Sequence, residues 1–121
     1  MAGPPEQAPD AAVALERLAA DRDALRDQVR SLETQFDGFV EASDLVATDD
    51  EHDPEGHTIA FERQQVAGLL RDARTKLAAL DAALERLRHG TYGRCTQCGV
   101  SIPAERLEAV PGAEHCITCA R

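Results

Sequence analysis

Two cysteine pairs, Cys95-Thr96-Gln97-Cys98 and Cys116-Ile117-Thr118-Cys119, stand seventeen residues apart near the end of a 121-residue chain. A two-residue gap lets both sulfurs of a pair reach one ion from a single turn, and two such turns close a tetrahedral cage. The spacing therefore predicts one structural zinc ion held by Cys95, Cys98, Cys116 and Cys119. Two other uses of the thiols are weighed against it. Disulfides belong to an oxidising compartment, yet no apolar stretch after Met1 reads as a signal peptide. A dithiol redox pair needs only one such motif, in a βαβ context that the sequence lacks. With four sulfurs filling the site, His115 is expected to be exposed, and no position remains for a catalytic water.

Little else in the chain can build a broad core, since aromatic residues make up 3% and Trp is absent. A long seam must supplement the metal, and a heptad rhythm supplies one. Leu15, Leu18, Leu25, Val29, Leu32, Phe36, Phe39 and Val46 recur at steps of four and three, interrupted by Arg22 and Ser43. A second series runs Ile59, Val66, Leu70, Ala73, Leu77, Leu80, Leu84 and Leu87, with Arg63 as its polar member. Pairing Val46 with Ile59 sets Phe39 on Val66, Leu32 on Ala73, Leu25 on Leu80 and Leu18 on Leu87. The paired residue numbers always total 105, as in an antiparallel hairpin, and the register puts Leu15 against Gly90. A parallel dimer through each helix is the competing account. At 1.5 Å per residue the seam spans ~42 Å, a projecting rod. Phe36 and Phe39 read as seam residues.

The expected class is thus mainly α, a long antiparallel coiled-coil hairpin with a small C-terminal four-cysteine zinc module. Residues 1–10, with three prolines, read as a disordered tail; 11–89 form the hairpin, with an acidic tip at 47–57; 90–121 form the zinc module. No stretch approaches the roughly 20 apolar residues of a membrane span, so a soluble, cytoplasmic monomer is expected.

Charge is distributed unevenly along this hairpin. Residues 31–62 hold ten carboxylates and no Lys or Arg, whereas the rest of the chain nearly balances. Five of the ten, Asp49, Asp50, Glu51, Asp53 and Glu55, fall within seven residues. Asp53 before Pro54 suits a helix N-cap and first position, and Glu55 suits the positive helix end, but these roles use only a few acids. One reading is a solvated acidic loop; another is a tip offered to a cationic channel or to a protein-bound metal. His52 and His57 could bind a divalent ion locally, although the spacing matches no EF-hand.

An acidic chain is poorly suited to duplex DNA, where Lys and Arg supply much of the affinity. Arg86, Arg88, Arg94, Arg106 and Arg121 gather near the zinc end, enough for an anionic protein surface but thin for DNA. No phosphate-binding glycine loop and no nucleophile with its base are present, so no enzyme is expected.

Gly90-Thr91-Tyr92-Gly93-Arg94-Cys95, Cys98-Gly99, Ile102-Pro103, Arg106-Leu107, Ala109, Pro111 and Cys116-Ile117-Thr118-Cys119 resemble the zinc-finger signature of the DksA/TraR family of bacterial transcription regulators. The resemblance implies RNA polymerase as partner, with the coiled coil inserted through the secondary channel and tip carboxylates near the catalytic magnesium. The family's Asp-x-x-Asp-x-Ala tip motif falls on Asp50 and Asp53, with Glu55 in place of the alanine and with Asp49 and Glu51 as further candidates. The zinc module would clamp the hairpin base, and Gly99 would shape a turn that aims amides at the sulfurs. The alternative is a zinc-stabilised coiled-coil adaptor for another protein that does not act on polymerase. Oxidation that expels zinc would make a thiol sensor, a third reading.

Overall fold

The computed structural model describes residues 10–46 and 54–120. Three helices follow one another: α1 (Ala11–Val46), α2 (Pro54–Arg88) and the short α3 (Ala104–Ala109). Among the described residues there is no strand, only one isolated antiparallel bridge between Arg94 and Ser101. The fold is mainly α, as the heptad rhythm predicts. It divides into two units, one of residues 25–46 with 54–75 and one of residues 10–24 with 76–120.

In the first unit, Val29 and Leu32 of α1 and Val66, Leu70 and Ala73 of α2 are buried, all on the predicted stripes. Phe36 and Phe39 are half-buried on the same stripe, as seam residues should be. Two contacts cross between the helices: Arg74 Nη2 donates to Glu33 Oε2 at 2.7 Å, and the Arg63 guanidinium lies 5.8 Å from the Phe36 ring centre. Residue 33 facing 74 and 36 facing 63 bracket the predicted antiparallel register. Arg63, the polar member of its stripe, thus serves the seam through the ring face, a contact worth about 0.5–1 kcal/mol at a partly exposed site. Phe61 and Leu69 point outward and stay exposed.

The second unit holds both helix ends at the base. Asp10, expected in the disordered tail, caps α1: its Oδ1 accepts from the amides of Ala12 at 2.9 Å and Val13 at 3.4 Å. At the other end α2 closes on Gly90, whose φ of 77° is a left-handed conformation. Gly90 N–H reaches Leu87 O at 3.2 Å and Thr91 N–H reaches Arg86 O at 2.8 Å, the paired bonds of a Schellman cap. This stop ends the long helix and sends the chain into the cysteine module.

Burial at the base departs from the heptad count. Leu18 and Leu80 are buried as expected, but Ala14 is buried where Leu15 was predicted, and Leu15 is 53% exposed. Ala83, outside the predicted stripe, is fully buried. The cause is a third packing element. Two helices alone would bury only their shared seam, whereas here the cysteine module also lies against α2 and turns the buried faces. Leu15 instead lines an open groove with Ala11, Ala12, Leu84, Leu87, Arg22 and Arg88. Gly90, its predicted neighbour, is exposed with no heavy atom near a notional Cβ.

Candidate metal centre

Each cysteine pair sits on a turn closed by the backbone. Gly99 N–H donates to Cys95 O at 3.0 Å, and Cys95 N–H donates to Val100 O at 2.8 Å, so the first pair occupies a tight knuckle. Gly99 adopts a φ of 79°, which a side chain would strain. Its amide therefore closes the turn, and the amides aimed at the Cys95 sulfur are those of Cys116, Cys98 and Gln97. In the second knuckle Ala120 N–H donates to Cys116 O at 3.0 Å, and Thr96 N–H ties the two together through Glu114 O at 2.8 Å.

All four sulfurs lie within 4.8 Å of one another. Cys98 Sγ and Cys116 Sγ are 3.7 Å apart. With zinc–sulfur bonds of about 2.3 Å, a tetrahedron has an edge of about 3.8 Å, the separation already held by Cys98 and Cys116. All four cysteines are free thiols, with no disulfide among them.

The protonation pattern shows how this pocket prepares for a cation. Burial pushes Cys95 up, but the amides of Cys116, Cys98 and Gln97 outweigh it and bring the thiol down to about 6. Cys116 is lowered chiefly by the Cys119 amide, against burial. Cys119 is pushed up to about 12, first by its hydrogen bonding with Cys116 and then with Cys98 and Cys95. Negative charge crowded among four sulfurs thus leaves one proton held tightly, and a divalent ion is the natural replacement for it.

A small core supports the cage. Cys95 and Cys116 pack with Ile102, Leu107 of α3 and Ala113, with Tyr92 and Cys119 against them. Tyr92 donates its phenol to Pro111 O at 3.0 Å, and Arg106 Nε donates to His115 O at 3.0 Å. His115 is half-buried rather than exposed and contributes its carbonyl, while its ring does not join the metal-ligating group.

Three contacts fasten this module to the hairpin base. Arg17 of α1 donates to Glu108 O, and Arg86 of α2 donates to Ala113 O at 3.3 Å. Gly112 approaches α2 so closely that a Cβ there would lie 3.1 Å from Ala79 Cβ. Sequence reasoning missed these fastenings, since Arg17 and Arg86 look like ordinary surface arginines. Arg86 and Arg106, predicted to form a basic patch, are committed to carbonyls inside the module, and Arg88 pairs with Glu85 at 3.6 Å. Arg121 lies outside the described residues, as do Asp49, Asp50, Glu51, His52 and Asp53 of the predicted tip. Glu55 belongs to the first turn of α2, with its side chain also outside them.

The model of the prokaryotic DksA/TraR C4-type zinc finger matches residues 90–121, the segment that carries all four ligands. The structure of transcription factor DksA2 from Pseudomonas aeruginosa covers 93% of this chain and 87% of that one, at 30% identity and a TM-score of 0.51. The chain belongs to the DksA/TraR family. Its four-cysteine site is accordingly that of a single structural zinc, with Cys95, Cys98, Cys116 and Cys119 as ligands.

Among relatives, RNA polymerase-binding transcription factor DksA of Escherichia coli is 31% identical over 106 residues, 84% of this chain and 63% of that protein. General stress protein 16O of Bacillus subtilis is 38% identical over 64 residues, 53% of this chain and 39% of that protein. The match therefore spans less than two thirds of either relative. Among the described residues of this DksA/TraR chain, no helix is long and apolar enough to cross a membrane.

Proposed function

We propose that this protein is a non-enzymatic transcription regulator that binds RNA polymerase and presents its acidic tip through the secondary channel. The observation that carries the reading is the likeness to DksA2, which extends through the hairpin as well as the zinc finger. Ten carboxylates without a Lys or Arg between 31 and 62 support it, because such a segment suits a cationic passage or a protein-bound metal. Asp50 and Asp53 are the tip residues assigned to that approach, with Asp49, Glu51 and Glu55 beside them. The zinc module acts as a clamp on the two helix ends at the hairpin base. On this reading the protein works in the cytoplasm, as a monomer, without sequence-specific contacts to DNA.

The exposure of Phe61 and Leu69 on the outer flank of α2 favours a second reading, an adaptor that binds another protein along its helices. The variant Asp50→Asn/Asp53→Asn separates the two in a pull-down with core RNA polymerase followed by abortive transcription. A channel effector keeps binding and loses its effect on transcription. An adaptor tolerates the change, and absence of polymerase binding by the unaltered protein eliminates the first reading.

A further inference from the structure

We infer that Gly38 of α1 and Gly68 of α2 form a paired hinge that lets the tip-side end of the hairpin bend. Both glycines lie inside long helices, and neither has a positive φ, so no turn requires them. Neither is required by packing, because a Cβ at either position would meet no heavy atom within 4 Å. Alanine would fit at both sites and hold the helix better, by about five-fold in the local opening equilibrium at each. What glycine retains at these positions is backbone freedom.

Their placement makes the freedom coordinated. On the predicted register, in which facing residue numbers total 105, residue 38 faces residue 67, one position from Gly68. A single loose point in one arm would be splinted by the other; two at one level are not. Gly38 is exposed, and Gly68 is half-buried between the buried Val66 and Leu70. Among the described residues, every ion pair lies on the base side of the two glycines. On the tip side, Val66 is buried in the seam and Arg63 lies over the Phe36 ring. The hinge rests on the proposed function only for its purpose, which is to let the acidic end adjust its direction as it enters a partner.

Hydrogen exchange on the full zinc-loaded chain tests it, comparing the unaltered protein with Gly38→Ala, Gly68→Ala and the double variant. Amides of 39–46 and 57–67 are expected to exchange faster than those of 25–35 and 70–75. Each alanine should slow the tip-side amides about five-fold and the pair about twenty-fold, with the zinc module unchanged. Gln64→Ala, on an exposed position of the same segment, should change them less than two-fold. Uniform exchange along the unaltered hairpin, or exchange indifferent to both alanines, overturns the hinge. In abortive transcription the double variant should bind polymerase and lose at least half its effect. A full effect despite slowed exchange refutes the purpose assigned to the hinge. Lost binding without slowed exchange shows instead that the glycines form a contact notch. If the unaltered protein does not bind polymerase, the functional proposal fails, while the exchange result still decides the hinge.

Discussion

Replacing Gly112 by alanine probes how closely the zinc module seats on α2. The new Cβ would lie 3.1 Å from Ala79 Cβ, 3.2 Å from Ala79 C and 3.3 Å from Ala79 O. Ordinary contacts between carbon atoms begin near 3.5 Å, so the methyl group intrudes by a few tenths of an ångström. Two of the three atoms belong to the backbone of a long helix and cannot rotate away. Overpacking of this kind costs about 1–3 kcal/mol. The residue has no positive φ, so alanine returns about 0.4–1 kcal/mol by restricting the unfolded chain. A net loss of about 1–2 kcal/mol remains, which for a chain of this size lowers Tm by roughly 3–8 °C. The assay is thermal unfolding followed by circular dichroism, at fixed free zinc so that metal binding does not vary between samples. Gly38→Ala and Gly68→Ala, where space is open, should raise Tm under the same conditions. A Gly112→Ala protein that melts within about 1 °C of the unaltered one would refute close seating.

Cys98→Ser should reduce zinc affinity by more than the 10–100-fold typical of losing an outer partner, read by competition with a chromophoric chelator; unchanged affinity would remove Cys98 from the ligand set. Zinc uptake by the reduced, metal-free protein near pH 7.5 should release fewer than four protons: Cys95, at about 6, is already ionised, whereas Cys119, at about 12, gives up its proton. Because the Cys95 value is lowered, its stabilising contribution is present above the ordinary 9.0 and is lost as pH falls through about 6. Calorimetry in buffers of different ionisation enthalpy counts the protons, and four at pH 7.5 would contradict the lowered thiol. Tyr92→Phe should cost about 1 kcal/mol in chemical denaturation by leaving Pro111 O without its donor. Burial raises the Tyr92 phenol above its ordinary 10.0, against Arg17 and Arg86 and with help from Asp21. Its contribution is therefore complete below pH 10 and fades as pH rises through the higher folded value. The phenylalanine variant should lack that alkaline loss, and identical alkaline profiles would argue against it.

The metal cage was legible because four ligands in two short turns leave few alternatives. Leu18, Leu32, Val66, Leu70 and Ala73 could likewise be read from a period of seven, since a two-helix seam is repetitive. The count failed at Leu15 and Ala14, where a third element covers the helices and no seam rule knows of it. Pro54 was recognisable as a first helical residue, because its fixed φ and missing donor suit that position. Asp10 was read as tail because three prolines precede it, although a carboxylate one residue before a helix is a cap signal in its own right. Arg17 reaching Glu108, 91 residues away, leaves no local trace at all. Gly99 was read as shaping the turn that aims amides at the sulfurs, and it does: its own amide closes the turn on the Cys95 carbonyl, while the Cys98 and Gln97 amides face the Cys95 sulfur.

Arg17 and Arg86 hold the same short module from different helices, at the Glu108 and Ala113 carbonyls. A slip of one arm past the other by a single turn moves its guanidinium about 5.4 Å, beyond the reach of that carbonyl. The base consequently acts as a gauge that admits one alignment of the two arms. Length added beyond it is constrained in a simple way. Seven residues inserted into each arm restore every facing pair and extend the reach by about 10.5 Å. Seven inserted into one arm alone must be absorbed in the turn. A series of hairpins graded by whole heptads can thus be built on an unchanged base, turning arm length into an adjustable quantity.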